Sequence, residues 1–228
     1  MSQVLVVEDD PRLVRTLTIN LKARNHEVAA ATGGVAALRI AAGVPPDVIL
    51  LDMGLPDMDG IHVIKELRRW SRVPIVVVSA RRTSGEKIAA LDAGADDYVT
   101  KPFDMNELLA RLTAAVRRRE TTGPAADEVQ VVTTDDFSVD LVAKKVRRAA
   151  HDVRLTPTEW HLLETLIRNP GRLVSQRQLL EEVWGHHAGD RTNYLRVYMA
   201  HLRRKLEPDP SQPRHFITQP GMGYRFET

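Results

Sequence analysis

The chain has 228 residues, 43% of them hydrophobic and 27% charged, with a formal net charge of +2. This supplies enough apolar material for one large or two small cores, and the charge is too mild to demand a nucleic-acid partner by itself. The absence of cysteine excludes disulfides and thiolate metal sites, and no run approaches the roughly 18 apolar residues of a membrane span.

Met1-Ser2-Gln3 leads directly into a strand-like run, so no secretory leader is expected and the cytoplasm is the expected compartment. The first half then alternates apolar runs with amphipathic stretches. Runs near 4–7, 27–30, 48–51, 75–78 and 97–99 predict strands. The stretches 11–24, 34–42, 60–70, 84–92 and 105–119 read as helices, with apolar residues at helical spacing in the first, third and fifth. The strands are nearly all apolar, as required when helices cover both faces of a parallel sheet. With right-handed crossovers the expected fold is a doubly wound, five-stranded α/β sheet over residues 1–119.

Residues 120–127 contain Gly123-Pro124 and no apolar period, so they read as a linker to a second domain, 128–228. Short alternating runs at 129–132, 137–140, 144–148 and 153–155 predict a small antiparallel sheet. Thr156, Pro157 and Glu159 have the spacing of a capping box at the start of a helix. Ser175 with Gln178 starts a second helix, and 193–206 forms a third. The tail, with Gln219 to Gly223 as its turn, predicts a β-hairpin. Three helices and a hairpin make an α+β winged helix-turn-helix.

The polar residues that end the strands of the first half carry the chemistry. Glu8-Asp9, Asp52, Ser79 and Lys101 would converge at the carboxyl edge of a parallel sheet, where ligands of such folds sit. Any one of them has a plainer explanation. Asp52 after a strand is a natural helix cap, and Glu8-Asp9-Asp10 before Pro11 is a natural capping cluster. Their joint placement at four strand ends favours a site. Carboxylates brought together need a shared cation, and oxygen-only ligands suit Mg²⁺, with Mn²⁺ or Ca²⁺ as alternatives. Asp52 would then be the nucleophile forming an acyl phosphate, with Lys101 and Ser79 on the phosphoryl oxygens.

In the helix 193–206, Leu195, Tyr198, Met199, Leu202 and Leu206 share a core face. The opposite face presents Asn193, Arg196, Val197, Ala200, His201, Arg203 and Arg204 to the major groove of double-stranded DNA. Arg196, Val197, His201 and Arg204 are expected nearest the bases, with Arg203 and Lys205 nearer phosphates. Thr218 and Arg225 of the hairpin are further phosphate candidates. An aspartate-nucleophile phosphohydrolase is a competing function, but such enzymes want a second Asp two residues after the nucleophile, and Gly54 stands there. A DNA-binding regulator that ignores phosphorylation is another alternative.

These residues carry a family resemblance. Glu8-Asp9, Asp52, Ser79, Tyr98 and Lys101-Pro102-Phe103 resemble the flavodoxin-like receiver domain of response regulators. Leu155-Thr156-Pro157-Thr158-Glu159, Leu202-Arg203-Arg204-Lys205-Leu206 and Gly221-Met222-Gly223-Tyr224-Arg225-Phe226 resemble the winged-helix effector of the OmpR/PhoB family. The resemblance implies a transcription regulator, not an enzyme, phosphorylated on Asp52 by a sensor histidine kinase. It implies Mg²⁺ held by Asp9, Asp52 and the Gly54 carbonyl, with Glu8 acting through water. Ser79 and Lys101 would contact the phosphoryl group, and Tyr98 would be the aromatic switch. It further implies a homodimer on phosphorylation, with Lys87–Glu107 and Asp97–Arg111 as intersubunit pairs. Asp96 would join that interface, although its usual basic partner position holds Thr113 here. Two effector domains would bind tandem half-sites and work with RNA polymerase, away from any membrane. Gly54-Leu55-Pro56-Asp57 and Arg69-Trp70-Ser71 resemble the family's potassium-responsive members, which implies control of a potassium-transport operon.

Overall fold

The computed structural model describes residues 2–120, 131–185 and 192–228. The chain divides into two compact units, Met1–Arg119 and Glu120–Thr228. Residues 121–127, expected in the linker, lie outside the described residues. No helix among the described residues is long and apolar enough to cross a membrane.

The first unit alternates strand and helix: β1 (Gln3–Val7), α1 (Pro11–Lys22), β2 (Glu27–Ala31), α2 (Gly34–Gly43), β3 (Val48–Leu51), α3 (Gly60–Trp70), β4 (Ile75–Ser79), α4 (Ser84–Ala93), β5 (Asp97–Thr100) and α5 (Met105–Glu120). All pairings are parallel, in the order β2-β1-β3-β4-β5. The unbroken apolar runs follow from burial on both faces. Val4, Val6, Val48, Leu50, Val76 and Val78 pack with Leu17 and Leu21 of α1 and Leu108 and Leu112 of α5. The intervening Leu5, Val7, Ile49, Leu51, Ile75 and Val77 point the other way and are equally buried. Because β1 has β2 on one side and β3 on the other, the chain reverses direction there. The carboxyl ends of β1 and β3 therefore flank an open crevice.

The helix caps sort the acids at that edge. Asp10 caps α1, accepting from Arg12 N at 2.8 Å. Asp59 caps α3, accepting from Ile61 N at 2.9 Å. Thr83 and Glu86 form a capping box on α4. Capping therefore uses Asp10 and Asp59, and leaves Glu8, Asp9 and Asp52 for other work.

Asp96 corrects an expectation. It is fully buried, and its carboxylate is taken up by Arg68 inside its own unit, where the expectation had placed it at a dimer face. Its carboxylate accepts from Arg68 Nη2 at 2.7 Å and from Ile75 N at 3.0 Å. Arg68 also donates to the Gly94 and Val73 carbonyls, at 2.9 and 2.7 Å. Gly94 ends α4 at φ +112°, and a Cβ there would lie 2.9 Å from Arg68 Cγ. The buried pair thus locks the end of α3 against the start of β4 and the turn before β5.

The second unit opens with a four-stranded antiparallel sheet: β6 (Val131–Thr133), β7 (Phe137–Asp140), β8 (Lys145–Arg148) and β9 (His151–Val153). Then come α6 (Pro157–Ile167), β10 (Leu173–Ser175), α7 (Gln176–Trp184), α8 (Thr192–Leu206), β11 (Phe216–Gln219) and β12 (Gly223–Phe226). The strand expected at 153–155 lies two residues earlier, because Leu155 is buried just before the Thr156 cap. The hairpin gains a third strand that the sequence pattern did not announce: β10 pairs with β12, with Val174 opposite Tyr224. Gly223 permits this, since a Cβ there would meet the Val174 carbonyl oxygen at 2.0 Å. Trp184 is core, its ring centroid 5.5 Å from that of Tyr198.

Removing the Asp96 carboxylate takes the counterion from a largely buried guanidinium and the acceptor from a buried backbone N–H. Asp96→Ala should cost the first unit about 3–5 kcal/mol of unfolding free energy in urea denaturation. A loss below about 1 kcal/mol, the value of an exposed pair, would contradict the lock.

Candidate functional site

The crevice at the carboxyl edge holds Glu8, Asp9 and Asp52. Each offers an oxygen, and these oxygens lie within 4.8 Å of one another. Glu8 and Asp52 are buried, whereas Asp9 faces solvent. Asp52 Oδ1 accepts from Met53 N at 2.7 Å, which turns the carboxylate toward the crevice. α3 starts close beneath it: a Cβ on Gly60 would lie 2.9 Å from the Asp52 carbonyl oxygen, so only glycine fits. Gly54 is exposed beside Asp52, its Cβ position 3.8 Å from Asp52 Oδ2.

Lys101 reaches in from the end of β5. Its ammonium lies 2.6 Å from Glu8 Oε2 and 3.1 Å from Asp52 Oδ2, so one cation serves two carboxylates. The Lys101–Pro102 peptide is cis. Burial lifts the Glu8 carboxyl above the ordinary glutamate range; Lys101 opposes that rise and the Asp52 charge adds to it. Burial works against the Lys101 charge too, yet the bond to Glu8 and the field of Asp52 hold its pKa above the ordinary value. Both shifts are upward: Glu8 is buried, and next to a like charge with which it shares its counterion, while the lysine gains from two anions. The pocket is thus short of positive charge. Oxygen-only donors in that state fit a hard divalent cation such as Mg²⁺.

Ser79, at the end of β4, is buried, and its hydroxyl accepts from Arg81 N at 3.2 Å. Tyr98 is buried as well, and its hydroxyl donates to the Arg81 carbonyl at 2.9 Å. Burial raises the Tyr98 pKa, with a Ser79 hydrogen bond opposing. Arg81 therefore touches both residues singled out as the switch, and its guanidinium pairs with Asp59 at 2.9 Å. Neither Arg81 nor Asp59 was singled out from sequence. The available signal was an arginine two residues past the strand-end serine.

The residues expected at the dimer face bond within one chain. Arg111 Nη1 lies 3.5 Å from Asp97 Oδ2, Arg111 Nε donates to Glu107 Oε1 at 2.9 Å, and Asp97 is buried. Lys87 Nζ stands 5.9 Å from the Tyr98 ring centroid.

On α8, Asn193, Arg196 and Arg204 are exposed and Val197 is half-buried. Other expected DNA contacts are corrected. His201 is buried, with Nδ1 3.4 Å from Glu159 Oε1 and its ring edge-on to Tyr198, so it does not project toward bases. Lys205 lies 2.6 Å from Glu159 Oε2 and donates to the Arg154 carbonyl at 3.0 Å, so its ammonium serves the start of α6. Burial would raise the Glu159 carboxyl, but His201 and Lys205 hold it below the ordinary range. Arg203 donates to the Phe216 carbonyl at 3.0 Å and to Thr218 Oγ1 at 2.6 Å, which binds α8 to the wing. Burial lowers the Arg203 pKa. Arg225 pairs with Glu227 at 2.7 Å. Arg203, Thr218 and Arg225 are braces first.

Comparison with known proteins agrees with both units. Residues 4–113 match the response regulator receiver domain, and residues 150–226 match the C-terminal domain of transcriptional regulatory proteins. The chain is 57% identical over 227 residues to the transcriptional regulatory protein KdpE of Mycobacterium tuberculosis (strain H37Rv), covering 100% of both. It is 50% identical to the KDP operon transcriptional regulatory protein KdpE of Escherichia coli (strain K12), covering 99% of each. Among solved structures, a RitR mutant aligns with a TM-score of 0.79 at 26% identity over 99% of each chain. The Thermotoga maritima OmpR/PhoB homolog DrrB aligns at 0.53 and 25% identity over 100% of each. A receiver domain joined to a DNA-binding winged helix, with relatives this similar over their full length, establishes that the chain belongs to the OmpR/PhoB-type response regulators.

Proposed function

We propose that Asp52 is the phosphoacceptor of a two-component switch whose output is DNA binding. The observation that carries this reading is the Lys101 ammonium shared between Glu8 and Asp52 in an acid-rich crevice at the sheet's switch point. A carboxylate oxygen of Asp52 attacks the phosphorus of a phosphohistidine on the kinase. The P–N bond breaks, its electron pair leaves with the imidazole, and an acyl phosphate forms. Lys101 and the Ser79 hydroxyl stabilise the charge on the transferred group. Asp9, Asp52 and the Gly54 carbonyl would hold Mg²⁺, with Glu8 acting through water. The ion supplies neutralising charge for both the carboxylates and the incoming phosphoryl oxygens.

A new dianion on Asp52 redirects the donors around it. Ser79 and Tyr98 both bond the Arg81 backbone, so a shift of Ser79 is transmitted to Tyr98 and to the surface of α4. Receivers then pair through α4, β5 and α5, where Lys87, Asp97, Glu107 and Arg111 can exchange partners between chains. Pairing places two winged helices on tandem half-sites, and the second binding event gains from effective concentration. Arg196 and Arg204 are the cations of α8 best exposed to reach DNA. RNA polymerase is the expected downstream partner. The identity to the E. coli KDP operon regulator supports a potassium-transport operon as the target. Gly54 two residues after Asp52 favours this reading over a phosphohydrolase.

Beryllofluoride with Mg²⁺ should convert the wild type to a dimer in sedimentation velocity and leave Asp52→Ala unchanged. Equal dimerisation of both proteins would sink the phosphoacceptor assignment. Arg204→Ala should cost about 1–3 kcal/mol on the specific operator and less on random DNA. Equal losses on both would move Arg204 to a phosphate-contacting role.

A further inference from the structure

Residues 79–83 are tied down on two sides. Arg81 donates its backbone N–H to Ser79 Oγ at 3.2 Å and accepts from the Tyr98 hydroxyl at 2.9 Å. Its guanidinium reaches across to Asp59, Nη2 to Oδ2 at 2.9 Å. Asp59 is itself immobilised, because its other oxygen caps α3. Arg82 adds a longer bond, Nη2 to the Lys101 carbonyl at 3.3 Å. Asp52, Ser79 and Lys101 thus sit among contacts that tie 79–83 to α3 and to the end of β5.

We propose that Arg81 is a positioning residue that latches the switch segment to α3 through Asp59 and thereby opposes phosphorylation of Asp52. The proposal rests on the phosphoacceptor reading above. Ser79 is bonded to the Arg81 backbone, so its motion toward a phosphoryl group on Asp52 draws that backbone along. That motion pulls the guanidinium away from an aspartate held by the α3 cap. The Arg81–Asp59 pair therefore stabilises the resting arrangement and not the phosphorylated one, and the two-state equilibrium shifts by the energy of the pair. Both side chains are more than one third exposed, so the shift is modest.

The latch has a signature that simple charge effects lack. Under electrostatics alone, Arg81→Gln removes a cation near an anion-binding pocket and weakens binding, while Asp59→Asn removes an anion and strengthens it. Under the latch, both substitutions act in the same direction. Asn is as good an N-cap as Asp, so Asp59→Asn preserves α3. The experiment is a titration of the full-length chain with beryllofluoride at fixed Mg²⁺, together with the rate of phosphorylation by acetyl phosphate on phosphate-affinity gels. Arg81→Gln and Asp59→Asn should each tighten beryllofluoride binding and speed phosphorylation by about two- to five-fold. The double variant should match either single one, and Arg81→Lys should stay near wild type. Opposite signs, additive effects, or variants indistinguishable from wild type would overturn the latch while leaving the Asp52 assignment intact. A wild type that binds no beryllofluoride would remove the Asp52 reading and the latch together.

Discussion

One ammonium between two buried carboxylates governs the receiver. Lys101 arrives from the last strand of the sheet, Glu8 from the first in sequence and Asp52 from the strand between. No local segment brings them together. Only the order β2-β1-β3-β4-β5, with its reversal at β1 and β3, places these three strand ends around one crevice. The arrangement is costly, because two carboxylates in low dielectric repel and one cation cannot satisfy both. That unmet charge fits a hard divalent cation, which the proposed phosphoacceptor role of Asp52 would require.

The effector unit solves a similar problem without chemistry. Glu159 is buried at the start of α6, where it completes a capping box and draws in Lys205 and His201 from α8. Glu207 is buried at the end of α8 and accepts the backbone N–H groups of Arg214, His215 and Phe216. His215 in turn contacts Asp136 and the Glu227 carbonyl. These buried carboxylates fix α8 against α6 and the wing. An exposed face of Asn193, Arg196 and Arg204 is thereby carried on a rigid helix, which a reader of base edges requires.

The sequence made the fold legible because both its patterns are strong: continuous apolar runs for the parallel strands, and capping signals at Thr156 and Ser175 for the effector helices. The pocket was legible because its residues end strands, where topology alone collects them. What escaped has a common cause. His201, Arg203, Lys205 and Glu207 are polar residues on or just past an amphipathic helix, and helical spacing assigns such residues to solvent. Each instead meets a buried partner from a distant segment: Glu159, the Phe216 carbonyl, or the backbone before β11. Asp96 was misplaced for the same reason, because its partner Arg68 is 28 residues away on α3. The strand β10 was missed because three residues with an exposed Leu173 carry no periodicity; pairing with β12 makes it a strand.

The claim that Lys101 is the counterion of an underneutralised acidic pocket is tested most directly by denaturing Lys101→Met with and without Mg²⁺. In chelator, the variant should be less stable than wild type by about 1–3 kcal/mol, because the buried carboxylates lose their cation and part of the cost is relieved by solvent and by protonation of Glu8. Excess Mg²⁺ should then stabilise the variant more than the wild type, since the ion no longer competes with the lysine. A variant as stable as wild type in chelator, with the same increment from Mg²⁺, would contradict the account.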